Sequence, residues 1–270
     1  MGVLNVTPDS FSDGGLYVAP GAAVERGLQM MDDGADVIDV GGESSRPGAE
    51  PVPVAVELER VVPVVEALAG PAAAGHRGRT VRLSVDTVKP EVATAALAAG
   101  ASLVNDISAS LWEVAAAAGA GWVAMHMQGR PRTMQEDPRY GDVVGEVRTM
   151  LLERAAEALG AGVAEVWVDP GIGFGKTTAH NLSLLRHLDG LVEAADGAGC
   201  AGVMVGTSRK RFLGVVAGGG GSKDEPAPVG DRLEGSLATA AAALVAGVGM
   251  VRVHDVAATV QMARLYGPAA

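Results

Sequence analysis

Side chains that could carry chemistry follow short apolar runs at eight places along the chain. The carboxylates Asp86 and Asp169 can each accept two parallel N–H donors, as from the edge of an aminated heterocycle. Arg46, Lys210 and Arg252 supply separate cations that suit a phosphate-like group. We therefore expect a site that binds a flat, aminated heterocycle with an anion beside it. In chain order, the polar residues that end the apolar runs are Asn5, Asp39, Asp86, Asn105, His126, Asp169, Lys210 and Arg252.

The apolar runs themselves are spaced as the strands of a closed parallel barrel. Most are separated by stretches with helical periodicity, and alternation of strand and helix eight times predicts a (β/α)8 TIM barrel, an α/β fold with its active site at the C-terminal ends of the strands. We expect one domain over residues 1–270. A doubly wound sheet would need a glycine fingerprint after its first strand, and none is present. The predicted strands are Gly2–Val6, Val37–Val40, Val81–Val85, Leu103–Asn105, Trp122–Met125, Val166–Val168, Val203–Val205 and Met250–Val253. The clearest predicted helices are Ala22–Asp33, Val54–Leu68, Glu91–Ala99 and Val143–Leu159, with Gly34, Gly70, Gly100 and Gly160 as stop signals.

Composition limits the kind of partner. The 270 residues are 48% apolar and carry a net charge of −11, which argues against wrapping nucleic acid or an anionic membrane. The one cysteine, Cys200, excludes an internal disulfide and fits a reducing compartment, so we expect a cytoplasmic protein without a signal peptide. The longest uncharged run, Gly235–Val251, is short for a membrane span and predicts a buried helix leading into a strand.

Motifs for other chemistries match poorly. GIGFGKT resembles a phosphate-binding P-loop, but proline stands where its first glycine is required. GTSRK and GESSR lack the second glycine of a nucleophile elbow. The five histidines form no HExxH motif and have no clustered cysteines, so no zinc site is indicated. His126 and His254 could each lie in the core or at the rim of the barrel. We favour the rim for His254, because Arg252, two residues earlier, lies on the same face of the strand.

Eight segments together resemble one known family, the dihydropteroate synthases. They occur in the order of that family and span the chain from its start to Val256. The segments are NVTPDSFSDGG (Asn5–Gly15), IDVGGESSRPGA (Ile38–Ala49), SVDT (Ser84–Thr87), VNDIS (Val104–Ser108), MHMQG (Met125–Gly129), DPGIGFGKT (Asp169–Thr177), GTSRKRFLG (Gly206–Gly214) and VRVHDV (Val251–Val256).

The resemblance implies a transferase of folate biosynthesis. The family joins 4-aminobenzoate to 6-hydroxymethyl-7,8-dihydropterin diphosphate by an SN1-like reaction, forming 7,8-dihydropteroate and releasing diphosphate. The resemblance also implies Mg²⁺ as cofactor and small-molecule substrates, with no nucleic acid or membrane partner. It implies a homodimer formed through helices remote from the mouth of the barrel, the end at which the strands have their C-termini.

The same resemblance implies roles for individual residues. Asp169 would take the 2-amino and N3 hydrogens of the pterin, with Asn105 beside it, Asp86 facing N8 and Lys210 reaching O4 and N5. Met127 and Phe174 would pack against the ring. The groups expected around the diphosphate are Arg252, His254, Ser45 and Asn5, with Asn5 also as the Mg²⁺ ligand. The groups expected around the aminobenzoate are Phe11, Asp13, Ser45, Arg46, Pro47 and the turn that contains Ser208.

Two alternatives stay open at this stage. A pterin-dependent methyltransferase domain shares the barrel and the Asp/Asn pocket, and a non-catalytic paralogue would bind pterin without turnover. Two positions depart from the family pattern near the aminobenzoate subsite: Ser45, where many members carry Thr, and Arg211, where some carry Ser.

Overall fold

A computed structural model describes residues 1–7, 20–45, 48–75, 78–218 and 226–266. All eight predicted strands are present, and each pairs in parallel with the next along the chain. Their order confirms the alternation expected from the apolar runs. The strands are β1 (Gly2–Asn5), β2 (Val37–Gly41), β3 (Arg82–Asp86), β4 (Leu103–Asp106), β5 (Gly121–Met125), β6 (Val166–Asp169), β7 (Gly202–Val205) and β8 (Met250–Val251).

The ring of strands closes between its last and first members. Gly2 forms a parallel bridge with Val253, just beyond β8. The Val3 N–H donates to the Val253 carbonyl oxygen at 2.9 Å, and the Val253 N–H donates to the Met1 carbonyl oxygen at the same distance. The (β/α)8 barrel is thereby confirmed as a closed ring.

Helices surround this ring in the described part of the chain. The four predicted helices all form, and the uncharged run Gly235–Val251 enters helix α9 and then strand β8. A short 3-10 turn, Val229–Asp231, precedes α9, and residues 219–225 lie outside the described residues. The helices are α1 (Pro20–Asp33), α2 (Val54–Ala74), α3 (Pro90–Ala98), α4 (Trp112–Ala118), α5 (Val143–Gly160), α6 (Thr178–Arg186), α7 (Leu188–Gly197), α8 (Arg211–Ala217), α9 (Leu233–Val245) and α10 (Val256–Tyr266).

One predicted helix stop, Gly70, is wrong. The helix α2 runs through Gly70 to Ala74, because its apolar stripe continues as far as the buried Ala72. A Cβ at Gly70 would meet no atom within 4 Å, so this glycine faces open space and imposes no turn. Gly75, with φ +78°, follows the end of the helix instead.

Alternate residues of each strand point into the ring and form layers along its axis. The layer at the N-terminal ends of the strands is apolar and includes Val37, Leu103, Val123 and Met204. Two residues further along β2, the same face presents Asp39, and at the C-terminal ends the layer is polar. The barrel is thus sealed at one end and lined by polar groups at the other.

None of the helices in the described ranges is both long enough and apolar enough to cross a membrane.

Candidate active site

A small cavity opens at the C-terminal ends of the strands, where the sequence predicts the site. Seven of the predicted residues meet there: Ser45, Asp86, Asn105, Asp169, Phe174, Lys210 and Arg252. Ile107, Met125 and Gly206 complete its wall. The cavity therefore combines two acidic and two basic side chains with an apolar surface formed by Ile107, Met125 and Phe174.

Arg252 lies at the centre of this arrangement and is held by two carboxylates. Its Nε donates to Asp39 Oδ2 and its Nη2 donates to Asp86 Oδ2, each at 2.6 Å. Burial disfavours the charge of Arg252, but Asp39 and Asp86 outweigh it and hold the pKa of the guanidinium above its usual value. Arg252 is therefore a fixed cation.

The carboxyls of the cavity are shifted toward their protonated forms. Burial raises the pKa of Asp86 to about 7, although Arg252 opposes the shift. Burial also raises the pKa of Asp169, against the attraction of Lys210 and a hydrogen bond from the Gly171 N–H to Asp169 Oδ1 at 2.7 Å. Both groups can thus exchange a proton with a bound ligand more readily than exposed carboxyls.

Lys210 spans the cavity from the turn after β7. Its Nζ lies 4.7 Å from the centre of the Phe174 ring and donates to the Ile172 carbonyl oxygen. Burial lowers the pKa of Lys210 to about 8, while Asp169 favours the charged form. The side chain is placed to donate to an acceptor of a ligand that lies against Phe174.

Asn105 presents an acceptor that no described residue uses. Its Nδ2 donates to Asp39 Oδ2 at 2.9 Å, whereas its Oδ1 is buried and has no partner within the described ranges. Asp39 Oδ1 and Ser84 Oγ are also without partners there. The sequence analysis includes Asp39 among the polar residues at the strand ends but predicts no role for it, and the structure places it on the inward face of β2, one layer below Gly41.

The interior charges are nearly balanced rather than positive. The sequence predicts Arg46, Lys210 and Arg252 as separate cations that suit a phosphate-like group. Among the described residues, however, Lys210 and Arg252 are matched by Asp39, Asp86 and Asp169. Anion binding at the mouth must therefore depend on donors at its rim as much as on a net positive field.

His254 and Ser208 form a pair at this rim. The Ser208 Oγ accepts the backbone N–H of His254 at 3.1 Å and lies 3.1 Å from the His254 ring Nδ1. Asn5, the predicted metal ligand, is the last residue of β1 and pairs with Gly41 of β2. No group of three or more His, Cys, Asp or Glu side chains able to hold a metal ion occurs in the described ranges.

Hydrogen bonds of Glu43 hold the loop after β2 near Ser45. Glu43 Oε2 accepts the Val52 N–H at 2.9 Å, which closes the base of the loop. Lys89 donates to both Glu43 and the fully buried Glu57. These contacts place Ser45 beside the cavity.

Five other predicted site residues are not found in the described part of the cavity wall. Met127 is half-buried and does not line the cavity, where Met125 lies instead, so a contact between Met127 and a bound ring stays a prediction. Phe11, Asp13, Arg46 and Pro47 lie outside the described residues.

The segment from Asp169 to Lys176 is folded tightly onto the loop after β5. Gly171 and Gly175 have φ of +63° and +60°, and a Cβ at either would lie 1.8 Å from the His126 carbonyl oxygen or 2.2 Å from that of Gln128. No side chain fits at these two positions. The spacing of the GIGFGK motif therefore reflects close packing of two loops.

Lys176 is buried beneath this loop and does not face the cavity. Its Nζ lies 2.9 Å from His126 Nδ1 and donates to the carbonyl oxygens of His126, Gly171 and Phe174 at 3.2, 3.1 and 3.0 Å. Burial, with the charge of Lys176 added, lowers the pKa of His126 to about 3, so this histidine is a neutral core residue. Lys176 thus braces the loop that carries Asp169 and Phe174.

Comparison with known proteins gives one consistent family. The family model described as pterin binding enzyme matches residues 1–254. Dihydropteroate synthase of Escherichia coli K12 is 44% identical over 271 residues, which covers 98% of this chain and 89% of the relative.

Solved structures agree with this. Dihydropteroate synthase of Xanthomonas albilineans with 4-aminobenzoic acid is 44% identical and superposes with a TM-score of 0.84, covering 98% of this chain and 90% of that one. The same enzyme in complex with 7,8-dihydropteroate is 41% identical with a TM-score of 0.80 and the same coverage.

Proposed function

The chain belongs to the pterin-binding enzymes, in the family of the dihydropteroate synthases, and on this premise we propose that it joins 4-aminobenzoate to 6-hydroxymethyl-7,8-dihydropterin diphosphate. The products are 7,8-dihydropteroate and diphosphate, and the enzyme is a transferase. The observation that carries the proposal is the polar wall of the cavity, in which Asp86, Asn105, Asp169 and Lys210 surround a slot bounded by Phe174.

The wall matches the edge of a pterin ring. Asp169 offers carboxylate oxygens to the 2-amino group and N3–H, and Asn105 offers its unpartnered Oδ1 beside them. Lys210 donates to O4 and N5 from the opposite side. Met125, Ile107 and Phe174 supply the apolar surface, so the ring is identified by its hydrogen-bonding edge and held by its faces.

The chemistry then needs no nucleophilic side chain. The bond between the methylene carbon and the diphosphate oxygen breaks, and its electron pair leaves with the diphosphate. The carboxylates beside the ring stabilise the positive charge left on the pterin, and the Arg252 cation, with His254 and Ser45 at the rim, receives the departing anion. The amine of 4-aminobenzoate forms the new C–N bond and loses a proton to solvent or to the released diphosphate.

We propose Mg²⁺ as the cofactor, with Asn5 as its protein ligand. Mg²⁺ usually keeps several waters and binds through one or two carboxylates plus substrate phosphates, so with the Asn5 amide as its protein donor the ion would take most of its ligands from the diphosphate and from water. When bound, the ion would neutralise charge on the diphosphate.

The aminobenzoate subsite is proposed at the rim of the mouth. Ser45 borders the cavity, and Ser208 lies beside His254, which supports a second substrate entering from this side. Phe11, Asp13, Arg46 and Pro47 complete the subsite in the proposal.

We also propose a homodimer and a cytoplasmic location. Val245, at the end of α9, and Leu265 and Tyr266, at the end of α10, are exposed apolar side chains of the outer helices and support an interface there. Cys200 is a free thiol, which supports a reducing compartment.

The proposal is tested with the purified chain and the pterin diphosphate, with and without 4-aminobenzoate, over a series of Mg²⁺ concentrations. We expect diphosphate release that depends on 4-aminobenzoate and formation of dihydropteroate. The variant Asp169→Asn should bind the pterin at least about tenfold more weakly by calorimetry, because a charged acceptor is lost. Absence of aminobenzoate-dependent release at every Mg²⁺ concentration would contradict the proposal, and tight binding of a methylated folate would favour a methyltransferase domain.

A further inference from the structure

A buried carboxylate, Asp39, touches two residues of the cavity without lining it. Its side chain is fully buried, and a single oxygen, Oδ2, accepts hydrogen bonds from both Arg252 Nε and Asn105 Nδ2. We propose that Asp39 is a positioning residue that fixes the plane of the Arg252 guanidinium and the direction of the Asn105 amide. This inference rests on the proposed function and explains how that site obtains its specificity for a pterin.

The direction of the Asn105 amide follows from the chemistry of its partner. An ionised carboxylate can only accept hydrogen bonds, so the amino end of the amide must face Asp39. The carbonyl end, Oδ1, is then turned away from Asp39 and has no partner among the described residues. Asn105 lines the cavity and therefore offers an acceptor to the N–H edge of a heterocycle.

The guanidinium of Arg252 is held in the same way. Its Nε donates a hydrogen bond to Asp39 of β2, and its Nη2 donates one to Asp86 of the adjacent strand β3. Two of the three guanidinium nitrogens are therefore bonded to carboxylates. No hydrogen bond from the third nitrogen, Nη1, to a described residue is present, and since Arg252 lines the cavity we infer that Nη1 donates to the anionic group of the substrate. A guanidinium held on two sides cannot turn away from the leaving diphosphate.

Stability alone does not explain the burial of Asp39. Its Oδ1 has no hydrogen-bond partner among the described residues. The same holds for the Oγ of Ser84, the residue that lies opposite Asp39 in the register of β2 and β3. A buried polar atom without a partner is destabilising, and Asp39 carries one such oxygen in addition to the oxygen that pairs with Arg252 and Asn105. The carboxylate is thus accounted for by what it does to Arg252 and Asn105.

The isosteric variant Asp39→Asn tests the inference in the full chain. The probe for the ring is 6-hydroxymethylpterin, which lacks the diphosphate, and calorimetry measures its Kd. We expect Kd to rise about tenfold or more, since an asparagine at position 39 can donate as well as accept and no longer fixes the Asn105 amide. With both substrates and Mg²⁺, kcat should also fall about tenfold, because Arg252 loses one of the two charged partners that hold it.

A matched control is Glu165→Gln at the opposite end of the barrel. Glu165 also accepts from an arginine, Arg82, through two bonds of 2.7 and 2.8 Å, so the change removes the same charge from a partly exposed carboxylate–arginine pair. We expect Kd and kcat to stay within about twofold of wild type. If Asp39→Asn is as neutral as this control, the inference is wrong.

The pH profile of kcat separates positioning from a general loss of packing. Asp39 disfavours the ionised form of Asp86, so its removal should move the acidic limb of the profile to lower pH. The same limb should stay in place in Glu165→Gln. The charged groups that face Asp86 are Arg252, Asp39, Glu57, Asp106 and Lys210.

If Asp39→Asn does not fold, the comparison is made in the Arg252→Gln background, where no buried cation is left without its partner. The double variant should bind 6-hydroxymethylpterin about tenfold more weakly than Arg252→Gln alone, and equal affinities would overturn the role toward Asn105. Failure of the proposed function has a different signature, since wild type itself would then show no aminobenzoate-dependent turnover.

Discussion

At the scale of single residues, the site depends on groups whose charge is poorly solvated. Asp86 is the clearest case, because burial raises its pKa to about 7 while Arg252 attracts its charge from 2.6 Å. A group that we propose to stabilise a positive pterin is therefore also one whose ionisation costs the native state free energy.

Stability should accordingly depend on pH through Asp86. A carboxyl with a folded pKa of about 7 and an unfolded value near 3.8 stabilises the native state fully below pH 3.8, and this contribution is lost as the pH rises through 7. We expect the free energy of unfolding of wild type to decrease over this window relative to Asp86→Asn. Urea titrations of both proteins from pH 4 to pH 8 measure the difference, and parallel curves would contradict the assignment.

Lys176 offers a second residue-scale prediction. In Lys176→Met the carbonyl oxygens of His126, Gly171 and Phe174 lose their shared donor. We expect a loss of roughly 2–4 kcal/mol in the free energy of unfolding, because buried acceptors are left unpaired. Pterin affinity should fall as well, since the loop that holds Asp169 is released, and calorimetry on the folded fraction checks this. Unchanged stability would exclude the bracing role.

At the scale of elements, the loop that carries Phe174 beside the cavity is fixed by its close approach to a second loop. The loop after β6 lies directly on the carbonyl oxygens of the loop after β5, and Gly171 and Gly175 are the points of contact. A loop built in this way is rigid because it is packed, although its sequence is rich in glycine.

Gly171→Ala should therefore damage both stability and binding. Its Cβ would overlap the His126 carbonyl oxygen, and a φ of +63° is unfavourable for alanine as well. We expect a lower Tm and weaker pterin binding. In the control Gly160→Ala, at the end of α5, a Cβ meets no atom within 4 Å, and the Tm should hold or rise slightly. A normal Tm for Gly171→Ala would refute the close approach.

Much of the element scale was predictable from the sequence. Apolar runs bounded by polar residues located all eight strands, since strands buried on both faces have few other compositions. The end of α2 was not predictable in this way. Gly70 is a local stop signal, but the helix continues because Ala72 beyond it is buried by tertiary packing.

The site was predictable only in its outer layer. Asp86, Asn105, Asp169, Lys210 and Arg252 end their strands or follow them, so topology alone brings them together. Asp39 and Lys176 do not line the cavity. Asp39 contacts Arg252 and Asn105, Lys176 contacts the loop after β6, and most of these partners are distant in sequence. No local pattern encodes which oxygen Arg252 or Asn105 will contact.

At the scale of the whole molecule, the two ends of the barrel have separate tasks. The end away from the cavity is held by Arg82 and Glu165, with a further bond from Trp167 Nε1 to Glu165 at 2.8 Å. Nothing in this cluster touches the described cavity, so we expect it to contribute to stability alone.

Arg82→Met should lower the free energy of unfolding by about 1–2 kcal/mol and leave pterin affinity unchanged. Because Arg82 lowers the pKa of Glu165, this stabilisation is present at pH values above 4.5 and is lost as the pH falls through the lower folded pKa. The control Arg139→Met breaks an exposed pair with Asp137 and should cost less than about 0.5 kcal/mol. Weakened pterin binding in Arg82→Met would show that the two ends are coupled.

The contact between the two loops also limits how this protein can evolve. Every amino-acid replacement of Gly171 or Gly175 introduces a side chain that collides with the main chain of the neighbouring loop. Selection acting on the cavity must therefore work through positions whose side chains can be exchanged, such as Ser45 at the rim. Among the descendants of this gene, variation should collect at the mouth of the barrel, and the codons of these two glycines should change only silently.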